Sequence, residues 1–280
     1  MLSTIHFYAN LARDLIIPAS PKEILTGKRF FRPFMHYQKS WASWFYPNDI
    51  IHRNVDAWSY LQKYIMPLIN KHASRFHIEG IRRLKLDSSN KPDLNEFQKI
   101  FSLESNGFQI QAVEDEIEPI EYFEMIRDKK FPCVPQLRPL NRLFCGSGPD
   151  FWHEAIGHIA PLCFSEVQDF YLAVADYMLS AKSEKEFQRR LAVAWTLTEY
   201  GFIKENGENK MFGAALVGSH LCHMRYLHGM IQVEPADKES IIHSGFYSEN
   251  ENAQLARNID GKLRFFCMDN VNANISNLFL

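Results

Sequence analysis

Two histidines five residues apart, His153 and His158, and a later glutamate, Glu199, are the residues of this chain whose types and order promise the most chemistry. The histidines lie in Pro149-Asp150-Phe151-Trp152-His153-Glu154-Ala155-Ile156-Gly157-His158, and the glutamate in Trp195-Thr196-Leu197-Thr198-Glu199-Tyr200-Gly201. Two imidazoles and one carboxylate make a face that holds ferrous iron on one side and leaves positions open for oxygen and substrate. If the three meet in space, the chain is an iron-dependent oxygenase.

The pair His153-Glu154 also invites a zinc-protease reading, which requires histidines at i and i+4 with the glutamate between them as general base. Here the second histidine is at i+5. On an ideal helix, positions five apart diverge by roughly 140°. Both rings reach one metal only where the helix is distorted or ends, and Gly157 beside His158 makes either easy. The zinc-protease reading is therefore poor.

The element carrying Glu199 is legible in its spacing. Ser183 and Glu186 form a capping-box pattern that opens a helix. Phe187, Leu191, Trp195 and Glu199 then follow at i+4 intervals, so the carboxylate continues an apolar stripe. A carboxylate there is costly unless paired or metal-bound. The alternative is a buried salt bridge or a frayed helix end before Gly201. Asp150 is placed to cap the helix carrying His153 and to support that histidine.

These segments resemble the catalytic domain of the pterin-dependent aromatic amino acid hydroxylases, the phenylalanine, tyrosine and tryptophan hydroxylases. The family's Pro-Asp-x-x-His-Glu-x-x-Gly-His block is matched from Pro149 to His158, and its Thr-x-Glu-[Phe/Tyr]-Gly block by Thr196 or Thr198 through Gly201. Upstream, Phe131-Pro132 and Leu137-Arg138 resemble the family's Phe-Pro and Ile-Arg pairs. Downstream, Phe212-Gly213-Ala214-Ala215-Leu216 resembles its Tyr-Gly-Ala-Gly-Leu. The likeness runs from about Ser40 to about Glu234.

The resemblance implies a mainly α fold with small β elements (α+β), and an iron held by His153, His158 and Glu199. It implies a tetrahydropterin that supplies two electrons, and hydroxylation of an aromatic amino acid by O2. Arg138 matches the arginine that grips the substrate carboxylate, a bidentate task that lysine does poorly. Phe131 and Trp195 are expected to wall the aromatic ring, with Gly146, Gly218 and Ser219 beside the substrate. Glu154, Tyr122 or Phe123, and Ile117 are expected near the pterin. Several positions depart from the pattern. Gly146 stands for a threonine, Gly218 for a serine and Ala194 for a tyrosine, and the acidic run 114–119 replaces a serine- and leucine-rich loop. A roomier pocket is expected, with phenylalanine as the first substrate. Two other readings are an iron oxygenase of this fold with another substrate or electron donor, and a non-catalytic metal-binding relative.

Composition agrees with one enzyme domain. The chain has 280 residues, 46% hydrophobic and with 22 Phe, enough for one sizeable core over 1–280, with 1–39 as an N-terminal extension. A formal net charge of −2 points to neither nucleic acid nor anionic membranes. No apolar run is long enough to span a bilayer, and Arg13-Asp14 interrupts the only N-terminal candidate for a secretory signal. Five cysteines, odd in number and without a Cys-x-x-Cys pair, read as reduced thiols of a cytoplasmic protein. The C-terminus shows no sustained heptad pattern and does not resemble the helical tail by which members of the family form tetramers, so the resemblance implies a monomer or weak dimer.

Along the chain, Ser20-Pro21 starts a helix, and Trp58, Leu61, Ile65 and Leu68 mark another over 54–71. Residues 86–93 read as a loop, 108–113 as a short strand, and Val167 through Met178 as a helix. Asp260-Gly261 reads as a hairpin turn. His220, Cys222, His223 and His228 form a secondary metal candidate whose spacing fits no zinc finger. Structural histidines are the plainer reading, as a solvated loop is for the acidic run.

Overall fold

The computed structural model describes residues 56–115, 117–138, 149–243 and 263–271. It is mostly helical with two small sheets, the α+β architecture expected. The helix expected over 54–71 is two helices, α1 (Ala57–Tyr64) and α2 (Met66–His72). Pro67 lies in the first turn of α2, where its missing N–H costs nothing, but inside one continuous helix it would have removed a hydrogen bond. Trp58, Leu61 and Ile65 are fully buried as their period demands. Trp58 meets Trp152 edge-on at 5.1 Å and anchors α1 against the segment that carries the histidines.

Next come α3 (Arg75–Arg83) and α4 (Leu94–Glu104), the latter capped by Asp93, whose carboxylate accepts from the amides of Asn95 and Glu96. The expected strand appears as β1 (Gln109–Ala112). It pairs in parallel with β2 (Lys130–Cys133), Ile110 opposite Phe131, across the intervening α5 (Pro119–Arg127).

The chain then enters a π-helix, His153–Ile159, and a 3-10 turn, Pro161–Cys163. The bond from the Ala160 amide to the Ala155 carbonyl, 3.0 Å, closes a five-residue repeat. That repeat returns residues five apart to nearly one face. Every residue of the π-helix is buried. Gly157 lets it pack closely, since a Cβ there would lie 2.6 Å from the Ala214 Cβ. Gly157 has no positive φ, so its part here is close approach rather than the backbone freedom expected of it.

Two long helices follow, α6 (Ser165–Leu179) and α7 (Glu184–Tyr200). Ser183 caps α7 by accepting from the Glu186 amide, while the Glu186 carboxylate reaches back to the Lys182 amide, one residue earlier than a standard capping box. β3 (Phe202–Glu205) and β4 (Glu208–Met211) form a hairpin through Asn206-Gly207, both at positive φ, which is the usual chemistry of a type I′ turn. After α8 (Ala214–Val217), α9 (His220–Leu227), β5 (Ile231–Pro235) and α10 (Lys238–His243) comes β6 (Leu263–Met268). The sheet order is β4-β3-β6-β5, with β6 parallel to both neighbours. The Ser20-Pro21 helix start and the Asp260-Gly261 turn lie outside the described residues. Among the described residues no helix is long and apolar enough to cross a membrane.

His77 on α3 ties the π-helix to the rest of the core. Its Nε2 donates to the Gly157 carbonyl at 3.0 Å, which fixes the tautomer, so its Nδ1 accepts from the Ser74 hydroxyl at 2.8 Å. Burial holds its pKa down, to about 3. Because the folded value lies below the unfolded one, the unfolded chain takes the proton first on acidification. The stability His77 contributes is complete above about pH 6.5 and is lost as pH falls toward 3. Urea unfolding at pH 7.5 and 5.5 should therefore show a larger loss in the wild type than in His77→Gln, by up to about 1.4 kcal/mol. Identical losses would show that His77 is not held neutral.

Candidate metal centre

The π-turn brings together what the sequence spacing kept apart. His153 Nε2 and His158 Nε2 lie 3.1 Å from each other, their rings nearly perpendicular. Glu199, 4% exposed on the last turn of α7, points its carboxylate at both. Oε1 is 3.0 Å from His158 Nε2 and Oε2 is 3.5 Å from His153 Nε2. Glu154 faces the same point, its carboxylate within 4.8 Å of ligand nitrogens of both histidines. The three residues singled out for the metal face thus converge.

The electrostatics suit a cation. Burial pushes His153 down to about 4, against the pull of Glu199, so at neutral pH its ring keeps a lone pair to offer. Burial pushes Glu199 up, but the two imidazoles, the His158 hydrogen bond and the Ala215 amide more than offset it and leave its pKa lowered. Its Oε2 is nonetheless buried without a hydrogen-bond partner. A buried anionic oxygen in that condition is costly unless a charge sits beside it. Two imidazoles and one carboxylate are the donor set that suits ferrous iron.

Neighbouring elements set the orientation of each ligand. Asp150 accepts from the His153 amide at 3.0 Å, the capping role expected of it. It also engages Arg138, from the backbone amide (2.8 Å), Nε (2.7 Å) and Nη2 (2.6 Å). Burial raises the Asp150 pKa, Arg138 more than reverses that, and the carboxyl ends below its ordinary value. Arg138 is itself buried, so one edge of its fork is committed to Asp150 and its plane is fixed. Phe131 is fully buried and lies over His158 at 5.3 Å and 34°, the wall of a ligand ring. Tyr171 on α6 sits 2.8 Å from His158 Nδ1. Tyr171 lies within the helix expected over 167–178, and a tyrosine on its buried face is the available sequence signal, since a buried hydroxyl seeks a partner.

The remaining expected site residues divide. Tyr122 and Phe123 are consecutive on α5 and face different ways. Tyr122 meets Phe131 edge-on at 6.1 Å, and burial drives its pKa well up, reinforced by Tyr171, Glu199 and Glu154. Phe123 turns into the core. Trp195 is half-buried one turn before Glu199. Gly218 lies against Trp152, whose indole donates to its carbonyl at 3.2 Å. A Cβ there would meet the Ala214 carbonyl at 3.3 Å and the indole at 3.6 Å, so Trp152 borders the space left by the missing side chain. The Ser219 hydroxyl caps α9, accepting from the Cys222 amide. Ile117 is half-buried ahead of α5, Glu114 and Asp115 are exposed, and Gly146 falls outside the described residues. Of the secondary cluster, His223 donates Nε2 to the Val217 carbonyl, a structural bond.

The segment after β4 supports Glu199 from behind. A Cβ on Gly213 would stand 2.2 Å from the Glu199 carbonyl carbon, so only glycine lets Ala215 approach that carboxylate. Gly213→Ala should lower stability by about 1–3 kcal/mol or more, as overpacking does. Gly207→Ala, at positive φ in open space, should lower it by only about 1 kcal/mol. Thermal unfolding of the two variants checks this, and equal shifts would contradict the packing described.

Residues 47–252 match the model of the biopterin-dependent aromatic amino acid hydroxylases. The phenylalanine-4-hydroxylase of Vibrio cholerae is 28% identical over 153 residues, 54% of this chain and 52% of that one. The tyrosine 3-monooxygenase of Rattus norvegicus is 26% identical over 170 residues, 59% of this chain and 34% of that one. The matches thus span about half or less of these relatives. Phenylalanine hydroxylase of Chromobacterium violaceum, solved with iron(III) and 7,8-dihydrobiopterin, superposes with a TM-score of 0.68 at 20% identity, covering 82% of each chain. The matched segment contains His153, His158 and Glu199, and the chain belongs to the biopterin-dependent aromatic amino acid hydroxylase family.

Proposed function

We propose that this protein is a ferrous-iron, tetrahydropterin-dependent monooxygenase that hydroxylates the ring of an aromatic amino acid, phenylalanine first. The observation that carries the reading is the convergence of His153, His158 and Glu199, with a buried, unpartnered Glu199 oxygen among them. Family membership supports it, as do the relatives' names, which divide between phenylalanine and tyrosine.

Bound there, ferrous iron with a reduced pterin would supply the oxygen activation and two electrons. The chain's own contribution is position and dryness. The two histidines and Glu199 would occupy one side of the metal and leave the other open. Phe131 closes the space behind His158, Glu154 presents its carboxylate toward the centre, and Tyr122 packs edge-on against Phe131. Arg138, its plane set by Asp150, would anchor the substrate's carboxylate by charge-assisted hydrogen bonds. An aromatic amino acid held so is prevented from turning, which is how positioning lowers a barrier.

Oxygen uptake with ferrous iron, tetrahydropterin and a panel of aromatic amino acids tests the whole reading. Pterin-dependent uptake coupled to a ring-hydroxylated product is expected with phenylalanine. Uptake with another donor or substrate alone would favour an oxygenase of this fold with different chemistry, and no uptake would favour a non-catalytic relative.

His158→Ala should lose stoichiometric iron and turnover together; a variant that keeps both would remove His158 from the metal. Arg138→Lys keeps the charge beside buried Asp150 but loses the fork. It should weaken kcat/KM for phenylalanine by about ten- to a hundredfold, the scale of one charge-assisted hydrogen bond. In the wild type, equal turnover of phenylalanine and its decarboxylated amine would show that Arg138 reads no carboxylate.

A further inference from the structure

Tyr171 lies 2.8 Å from Nδ1 of His158, on the side of the ring opposite Glu199. Both groups are buried, Tyr171 at 3% exposure and His158 likewise at 3%. The contact is local to this pair of elements: Tyr171 projects from α6, and Phe131 of β2 covers the face of the imidazole and touches the Tyr171 ring at 6.4 Å. His158 is thus gripped on three sides, by a phenol at Nδ1, an aromatic face, and the carboxylate and His153 at Nε2.

A neutral imidazole has one N–H and one lone pair, and the two nitrogens exchange roles between tautomers. With the proton on Nε2, His158 donates to Glu199 at 3.0 Å, and Nδ1 must receive a hydrogen bond. With a metal on Nε2, the proton moves to Nδ1, and Nδ1 must give one. A carboxylate or a backbone carbonyl at that place serves only the second state, because it only accepts. A hydroxyl serves both, because it can donate to a lone pair or accept from an N–H. A phenol ionises only at about pH 10, so at neutral pH the Tyr171 hydroxyl carries the proton it needs to donate.

We propose that Tyr171 is a positioning residue for the metal centre, a reversible hydrogen-bond partner that holds the His158 ring in place both before and after metal occupies Nε2. The proposal rests on the metal reading given above. It accounts for a phenol at a place where histidine ligands commonly meet a carboxylate or carbonyl. It also implies that metal loads into a ring already oriented, with no buried nitrogen left unpaired in either state.

Two measurements test it, neither depending on turnover. The first is the affinity for Co2+ alone, by competition with a chelator, in wild type, Tyr171→Phe, His158→Ala and Tyr177→Phe, the last a tyrosine of the same helix packed on Arg190 and Lys238. Tyr171→Phe should bind Co2+ about 10- to 100-fold more weakly, the scale for partners of ligand histidines, while Tyr177→Phe binds like wild type. Unchanged affinity in Tyr171→Phe, beside lost binding in His158→Ala, would overturn this inference and leave the metal centre standing. Wild-type affinity in His158→Ala would overturn the centre itself. The second uses the unaltered protein with 15N-labelled histidine. On adding Zn2+, the His158 ring proton should move from Nε2 to Nδ1 and stay protected from exchange. A proton already on Nδ1 in the metal-free protein, or one that exchanges freely after loading, would overturn the role given to Tyr171.

Discussion

The five-residue turn of the π-helix at His153–Ile159 is the constraint on which the rest of this site depends. An α-helix would send His153 and His158 in directions roughly 140° apart. The wider turn puts their Nε2 atoms 3.1 Å from each other. Such a turn gives up good hydrogen-bond geometry and packs less tightly by itself, so it persists only where the surroundings hold it. The surroundings here do so in three ways. The His77 imidazole binds the Gly157 carbonyl, the missing side chain of Gly157 lets α8 press in, and Asp150 caps the His153 amide.

The same contacts connect the fold to the chemistry. Burying two imidazoles and two carboxylates in one spot is unfavourable unless each polar atom finds a partner. Most do: His158 with Tyr171, Glu199 with the Ala215 amide, Asp150 with Arg138. The exception, Oε2 of Glu199, faces the point where both histidine nitrogens converge. A site complete except for one anionic oxygen is arranged around an expected cation. The cluster of supports also explains why segments far apart in the chain, α3, α6 and the turn after β4, all bear on one small volume.

Much of this was legible in the sequence. The residue types and their order named His153, His158 and Glu199, and the i+4 row from Phe187 placed Glu199 on the inner face of α7. Asp150 was readable as a cap because aspartate before a buried helical segment has few other uses. The π-turn itself was only half legible. The i+5 spacing ruled out a regular α-helix yet did not distinguish a helix end from a widened one. His77 carried no local signal, since its partner Gly157 is distant in sequence. Tyr171 lay inside the helix read over 167–178 with nothing local to tie it to His158, and the capping of α9 by the Ser219 hydroxyl was not read from the sequence. The break between α1 and α2 was written in Pro67 and masked by a hydrophobic period that runs through it. The parallel pairing of β6 with β3 and β5 was illegible for another reason: the strands are short and their partners distant in sequence, so tertiary pairing rather than alternation makes them strands.

X-ray absorption on the iron-loaded protein tests most directly whether the π-turn unites the two histidines on one metal. The account predicts one iron per chain with two imidazole nitrogens and carboxylate oxygen among its neighbours, and loss of one imidazole in His153→Ala. An iron environment with no imidazole, or one unchanged by that substitution, would contradict it.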